Sequence, residues 1–94
     1  MVIVLNETGK FERRDRFEIM SIILSSCQKG MTRKTHIMYK CNLSHKELHK
    51  YLEVLTSLGH LRVKRIKGAN FYQTTMKGEK FILEYQHVER VLEE

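Results

Sequence analysis

Lys46, His49 and Lys50 recur at i, i+3 and i+4, and the first carboxylate on that face is Glu53. Arg62, Lys64, Arg65 and Lys67 follow within six residues. Cations clustered this way chiefly meet phosphate oxygens and release the counterions condensed on them. The net charge of +6 is uneven: residues 1–74 hold 14 Lys/Arg against 6 Asp/Glu, and residues 75–94 hold 3 against 5. A basic body with a mildly acidic tail suits a polyanionic partner. A further cluster, Arg13, Arg14 and Arg16, opposes the positive end of the helix it opens, and Asp15 and Glu18 offset it.

Cys41, His45 and His49 stand at i, i+4 and i+8, a spacing that could offer three ligands to a metal. No second Cys-x-x-Cys or His pair accompanies them. The reading adopted is a small buried cysteine beside two outward histidines, with no metal. Cys27 reads as core. Lys40 could lower the pKa of Cys41, but a lone thiol without a resolving partner makes a weak switch. Tyr39, Tyr51, Phe71, Tyr72 and Tyr85 could form a stacking platform for single strands. Their periodic placement assigns them to packing instead, with Tyr72 alone expected near nucleic acid. Nothing supports catalysis: the sequence has no glycine-rich phosphate loop, no paired carboxylates and no nucleophile–base spacing. No cofactor and no small-molecule substrate is implied.

The elements that must position these cations are legible from local signals. Ninety-four residues, with no proline and 5 glycines, suit one domain built on helices. Met1–Leu5 reads as a short strand ending in the turn formers Asn6 and Gly9. Asp15 opens a first helix with the capping box "DRFE", and "IMSIILSSC" is apolar on most sides, as in a helix buried between others. Gly30 is the expected stop. Thr32 is expected to cap a second helix through Tyr39. Ser44, with Glu47 three residues on, opens a third, and Leu48, Tyr51, Leu52, Leu55 and Leu58 share one face of it. Gly59 ends that helix. Leu61 and Val63 alternate with Arg62 and Lys64, as in a half-buried strand. "KGAN" is a hairpin tip and "FYQTT" the return strand. Thr75 caps a last helix running to about Leu92.

Two helices joined by a tight turn and followed by a hairpin make the layout of a winged helix-turn-helix. The expected fold is mostly α with a small β-hairpin: a three-helix core, a wing and a C-terminal dimerisation helix. It forms one domain, 1–94, with an N-terminal arm over 1–12, the core over 13–74 and the last helix over 75–94. In this layout the second helix of the pair, about 44–58, enters the major groove of double-stranded DNA, and the wing, about 61–74, touches the backbone. The expected DNA contacts are Arg33, Lys34, Ser44, His45, Lys46, His49, Lys50, Arg62, Lys64, Arg65 and Lys67, with helix and wing aiming their cations the same way. Phe81, Tyr85, Val88 and Leu92 are spaced 4, 3 and 4 apart, a coiled-coil-like seam expected to form a homodimer. The other class weighed is a winged-helix protein-interaction module, whose signature would be an exposed apolar patch on the third helix or wing.

"THIMYKCNLSHKELHKYLEVLTSLGHL" followed by "YQTTMKGEKFILEY" resembles the archaeal winged-helix DNA-binding proteins related to small basic chromatin proteins. The resemblance rests on Thr35, Ile37-Met38-Tyr39, Asn42-Leu43-Ser44, Gly59 and Thr75-Met76-Lys77-Gly78. It covers residues 13–92. It implies a winged-helix fold, binding of duplex DNA, and dimerisation through the last helix. Cys41 stands where that family commonly has a small residue such as alanine, and His45 where it commonly has an aromatic. Two cysteines, an apolar N-terminal run too short for a signal core and no membrane-length stretch place the expected protein in the cytoplasm, on the nucleoid.

Overall fold

The computed structural model describes residues 15–93. The expected Met1–Leu5 strand, the 1–12 arm and Arg13 and Arg14 lie outside them. The elements run α1 (Arg16–Ser26), β1 (Thr32–Arg33), α2 (Lys34–Cys41), α3 (His45–Ser57), β2 (Leu61–Ile66), β3 (Ala69–Thr74) and α4 (Met76–Glu93). The sheet has three antiparallel strands in the order β1-β3-β2. Four helices with a small antiparallel sheet are the expected fold class, enlarged by one strand.

Local capping sets the helix starts. Asp15 accepts from the Glu18 backbone N–H at 2.8 Å and opens α1. At α3 the capping box is complete: Ser44 Oγ accepts from Glu47 N at 3.1 Å, and Glu47 Oε1 accepts from Ser44 N at 3.2 Å. Two boundaries differ from expectation. The chain leaves α1 at Cys27, before Gly30, because Ser26 Oγ donates back to Ile23 O at 2.7 Å and Cys27 N bonds Leu24 O, tightening the last turn. Thr32 does not cap α2. Its hydroxyl donates to Gly30 O at 3.1 Å, the residue belongs to β1, and Arg33 is the N-cap without a side-chain cap bond.

The "NLS" triplet is the helix-turn-helix turn itself. Asn42 ends α2 in the left-handed region (φ 53, ψ 49), a conformation asparagine tolerates. Leu43 drops into the core and Ser44 caps α3. The hairpin turns on Lys67 (φ 49) and Gly68 (φ 81), two positive φ values in a two-residue loop, the turn that matches strand twist.

Ile23, Leu24, Ile37, Leu48 and Leu55 are among the fully buried side chains, joined by Leu52, Leu61, Tyr72 and Ile82. Leu58, expected on the leucine face of α3, is 46 % exposed. Ten residues on from Leu48, at about 100° per residue, it has rotated about 80° off the face. Cys27 and Cys41 are both wholly buried, and burial raises the Cys27 thiol above its ordinary value, partly offset by hydrogen bonds from Ser26 and Thr32. That environment disfavours thiolate chemistry.

"TMKG" clamps α4 onto the end of α3. Thr75 Oγ1 donates to Gly59 O at 2.6 Å and accepts from Gly78 N at 3.2 Å, an N-cap for α4. Lys77 Nζ donates to Leu58 O at 2.8 Å, a cation on the negative end of α3. Thr74 Oγ1 donates to Leu24 O at 2.6 Å and ties β3 to α1.

The same junction holds His60. Its ring meets Phe81 edge-on at 5.5 Å, and its Nδ1 is buried with no hydrogen-bond partner among the described residues. Burial first, then the charge of Lys77, lowers its pKa from 6.5. Below pH 6.5 the unfolded chain therefore binds more protons at this site than the folded one, so stability falls as the pH drops from there through the folded pKa. A His60→Gln variant should show a shallower fall of urea midpoint on the acid side of neutrality. Parallel acid profiles for the two proteins would contradict this.

Candidate nucleic-acid interface

Burial of Leu48, Leu52 and Leu55 fixes the roll of α3, and the opposite face, with Lys46, His49, Lys50 and Glu53, is exposed to solvent. Glu53 is drawn onto His49, Oε1 to Nε2 at 3.1 Å, so the carboxylate of this face is paired within it. Lys34, first residue of α2, reaches the N-terminal end of α3, with Nζ 3.1 Å from His45 Nε2. Lys34, His45, Lys46, His49 and Lys50 thus form one continuous basic surface across both helices. Ser44 sits at its edge, with its hydroxyl oxygen engaged in the capping box.

The wing behaves differently. Opposite residues in an antiparallel pair share a face, and neighbours along a strand alternate. The register pairs Leu61 with Thr74, Val63 with Tyr72 and Arg65 with Asn70 on one face. Leu61, Tyr72 and Thr74 are buried, so this is the inner face, and Val63, Asn70 and Tyr72 line a groove with His49, Glu53 and Thr56 of α3. Arg65 belongs to that side, where Nη1 donates to Asn70 Oδ1 at 3.4 Å. Arg62 pairs with Gln73 and Lys64 with Phe71 on the outer face, and β1 adds Arg33 opposite Phe71. Arg33 lies over the Phe71 ring, 5.3 Å from its centroid. Lys67 occupies the turn. The wing cations therefore do not share one direction: along a strand faces alternate, Arg62 and Lys64 are two apart, and Arg65 is out of phase.

Two aromatic assignments also change. Tyr72, expected near nucleic acid, is buried. Tyr39, expected to pack, is 88 % exposed. Ile37 supplies the apolar anchor of "IMY" instead.

Cys41 is enclosed in the core while His45 and His49 are exposed, so the three do not converge. Among the described residues no group of three His, Cys, Asp or Glu is placed to hold a metal ion. No described helix is long and apolar enough to cross a membrane.

The expected dimer seam divides along α4. Phe81 packs on the core and stands 6.5 Å from the Phe17 ring of α1. Tyr85 is half-buried, and burial, then the carboxylates of Asp15, Glu89 and Glu18, raises its phenol to about 12. Val88 and Leu92 continue the same stripe but are 51 % and 59 % exposed.

The model of the winged helix-turn-helix family matches residues 13–93. The chain belongs to that family. Among solved structures, this winged helix-turn-helix protein is similar to Sso10a-2, described as a DNA-binding protein from Sulfolobus solfataricus. The two share 26 % identity, and the match covers 85 % of this chain and 83 % of the other with a TM-score of 0.80. The archaeal winged-helix resemblance read from "IMY", "NLS" and "TMKG" is thereby borne out, and both findings point to a non-enzymatic protein. No protein of curated function matches the chain.

Proposed function

We propose that this winged helix-turn-helix protein binds double-stranded DNA as a homodimer, as a transcription regulator or a nucleoid-associated chromatin protein. The observation that carries the reading is the solvent face of α3: Lys46, His49 and Lys50 opposite a buried leucine face, with Lys34 and His45 at the helix start. In the winged-helix docking geometry that face enters the major groove, and its N-terminal end lies nearest base edges. Arg65 and Lys67 would reach the flanking backbone. The DNA-binding description of Sso10a-2 supports the partner. The test is a gel shift on a specific upstream fragment and on random duplex across a salt series. Affinity should fall linearly in logarithmic plots, and a salt-independent affinity would defeat the reading. Preference for the upstream fragment marks a regulator, and indifference marks a compaction role.

The homodimer rests on the exposed end of the α4 stripe, because two half-sites about 34 Å apart need two recognition helices. Val88→Glu/Leu92→Glu should sediment as a monomer where the parent sediments as a dimer. These positions suit the test better than Phe81 or Tyr85, which pack on this chain's own core and first helix. A monomeric parent would end the dimer.

A second reading, a protein-interaction module without DNA binding, has one feature in its favour. Val54 and Leu58, four residues apart on α3, are both about half exposed beside the cations. Absence of duplex binding at low salt would select it.

A further inference from the structure

We propose that the outer face of the sheet and the adjoining cleft of α2 form a second nucleic-acid site, for single strands, distinct from the α3 face. Strands lie about 4.8 Å apart, so Arg33, Phe71 and Lys64, paired across β1, β3 and β2, make one row roughly 10 Å long. Arg62 stands two residues from Lys64 on the same face and is held by Gln73 Oε1 at 2.7 Å. Beyond Arg33 the surface opens into a cleft of about 460 Å³ bordered by His36 and Tyr39. None of these residues is a carboxylate.

Nothing among the described residues packs over Tyr39. A phenol ring left almost fully in water gains no burial, and its neighbours Arg33 and His36 are hydrogen-bond donors to anions. Cations alternating with aromatic rings are what a single strand recognises: phosphates meet the guanidinium and ammonium groups while unstacked bases lie on the rings. A duplex offers the rings nothing, since its base faces are stacked inside. The cleft shares no lining residue with the groove between the wing and α3.

The experiment is fluorescence anisotropy with labelled oligo-dT, alone and with the protein saturated by unlabelled duplex. Oligo-dT should still bind the duplex-saturated protein. Tyr39→Ala should weaken oligo-dT binding by about 5- to 150-fold, the worth of one stacked base, and Tyr39→Phe should restore it. Duplex affinity, read separately, should be unchanged by either variant, since Tyr39 lies outside the duplex surface. Displacement of oligo-dT one-for-one by duplex would overturn the proposal, as would wild-type oligo-dT affinity in Tyr39→Ala. Tyr39-dependent oligo-dT binding without any duplex binding would sustain this site while removing the duplex reading.

Discussion

Gly78→Ala should lower the melting temperature by about 8–16 °C, estimated from the packing around one hydrogen. A β-carbon at this position meets the backbone carbonyl oxygen of His60, and comes within 2.7 Å of Thr74 Cγ2. Neither neighbour can step aside easily. The His60 carbonyl accepts from Thr75 N at 3.0 Å, and Thr74 is anchored on Leu24 by its hydroxyl. Overpacking of this kind costs about 3 kcal/mol where the opposing atom is backbone. Alanine returns up to ~1 kcal/mol through its better helix propensity, leaving about 2 kcal/mol. For a chain this size each kcal/mol moves the midpoint by about 4–8 °C. Differential scanning calorimetry of the variant checks it. A midpoint equal to the parent's would mean that the start of α4 does not seat against His60 and Thr74 as described. The glycine of "T-x-K-G" is thus a contact residue, required where a helix start crosses a strand start.

Lys46→Glu/Lys50→Glu should reduce duplex affinity by at least about 60-fold at 0.1 M salt. Each phosphate that is no longer neutralised takes about 0.9 off the logarithmic salt slope, which amounts to about eightfold at 0.1 M relative to 1 M. Two lysines on two phosphates multiply to about 60-fold, and the introduced carboxylates add repulsion. Both lysines are exposed on α3 and neither takes part in its caps, so the thermal midpoint should stay near the parent's. Fluorescence anisotropy on one duplex at several salt concentrations separates the outcomes. A slope reduced by about two units places both lysines on phosphates. An unchanged affinity and slope would mean that α3 is not the surface that meets DNA.

Much of this arrangement could be read before any coordinates. The capping residues Asp15, Ser44 and Glu47, the leucine face through Leu55, the positive-φ glycine of "KGAN" and the cations opposite the leucines all depend on residues three or four apart. Interactions of that range are written in the order of the chain. The "NLS" triplet belongs with them, since a left-handed asparagine, a buried leucine and a capping serine are each local requirements. The family resemblance followed from these same motifs, which is why it held.

What only the tertiary structure decided involves distant partners. β1 is two residues long and has no periodicity to reveal it. It exists because β3 offers Phe71 and Tyr72 for pairing. Its arrival places Arg33 beside Phe71, and with it a basic row on the far side of the sheet from α3. Leu58 and Tyr39 followed apolar or aromatic patterns, yet Leu58 is half exposed and Tyr39 almost wholly so, because among the described residues no element covers their side chains. Nothing local to "TMKG" says that Gly78 meets the backbone of His60, eighteen residues earlier. Periodicity says which residues share a face. Whether that face is covered, and by what, depends on contacts between residues tens of positions apart, and those form only when the whole chain has folded.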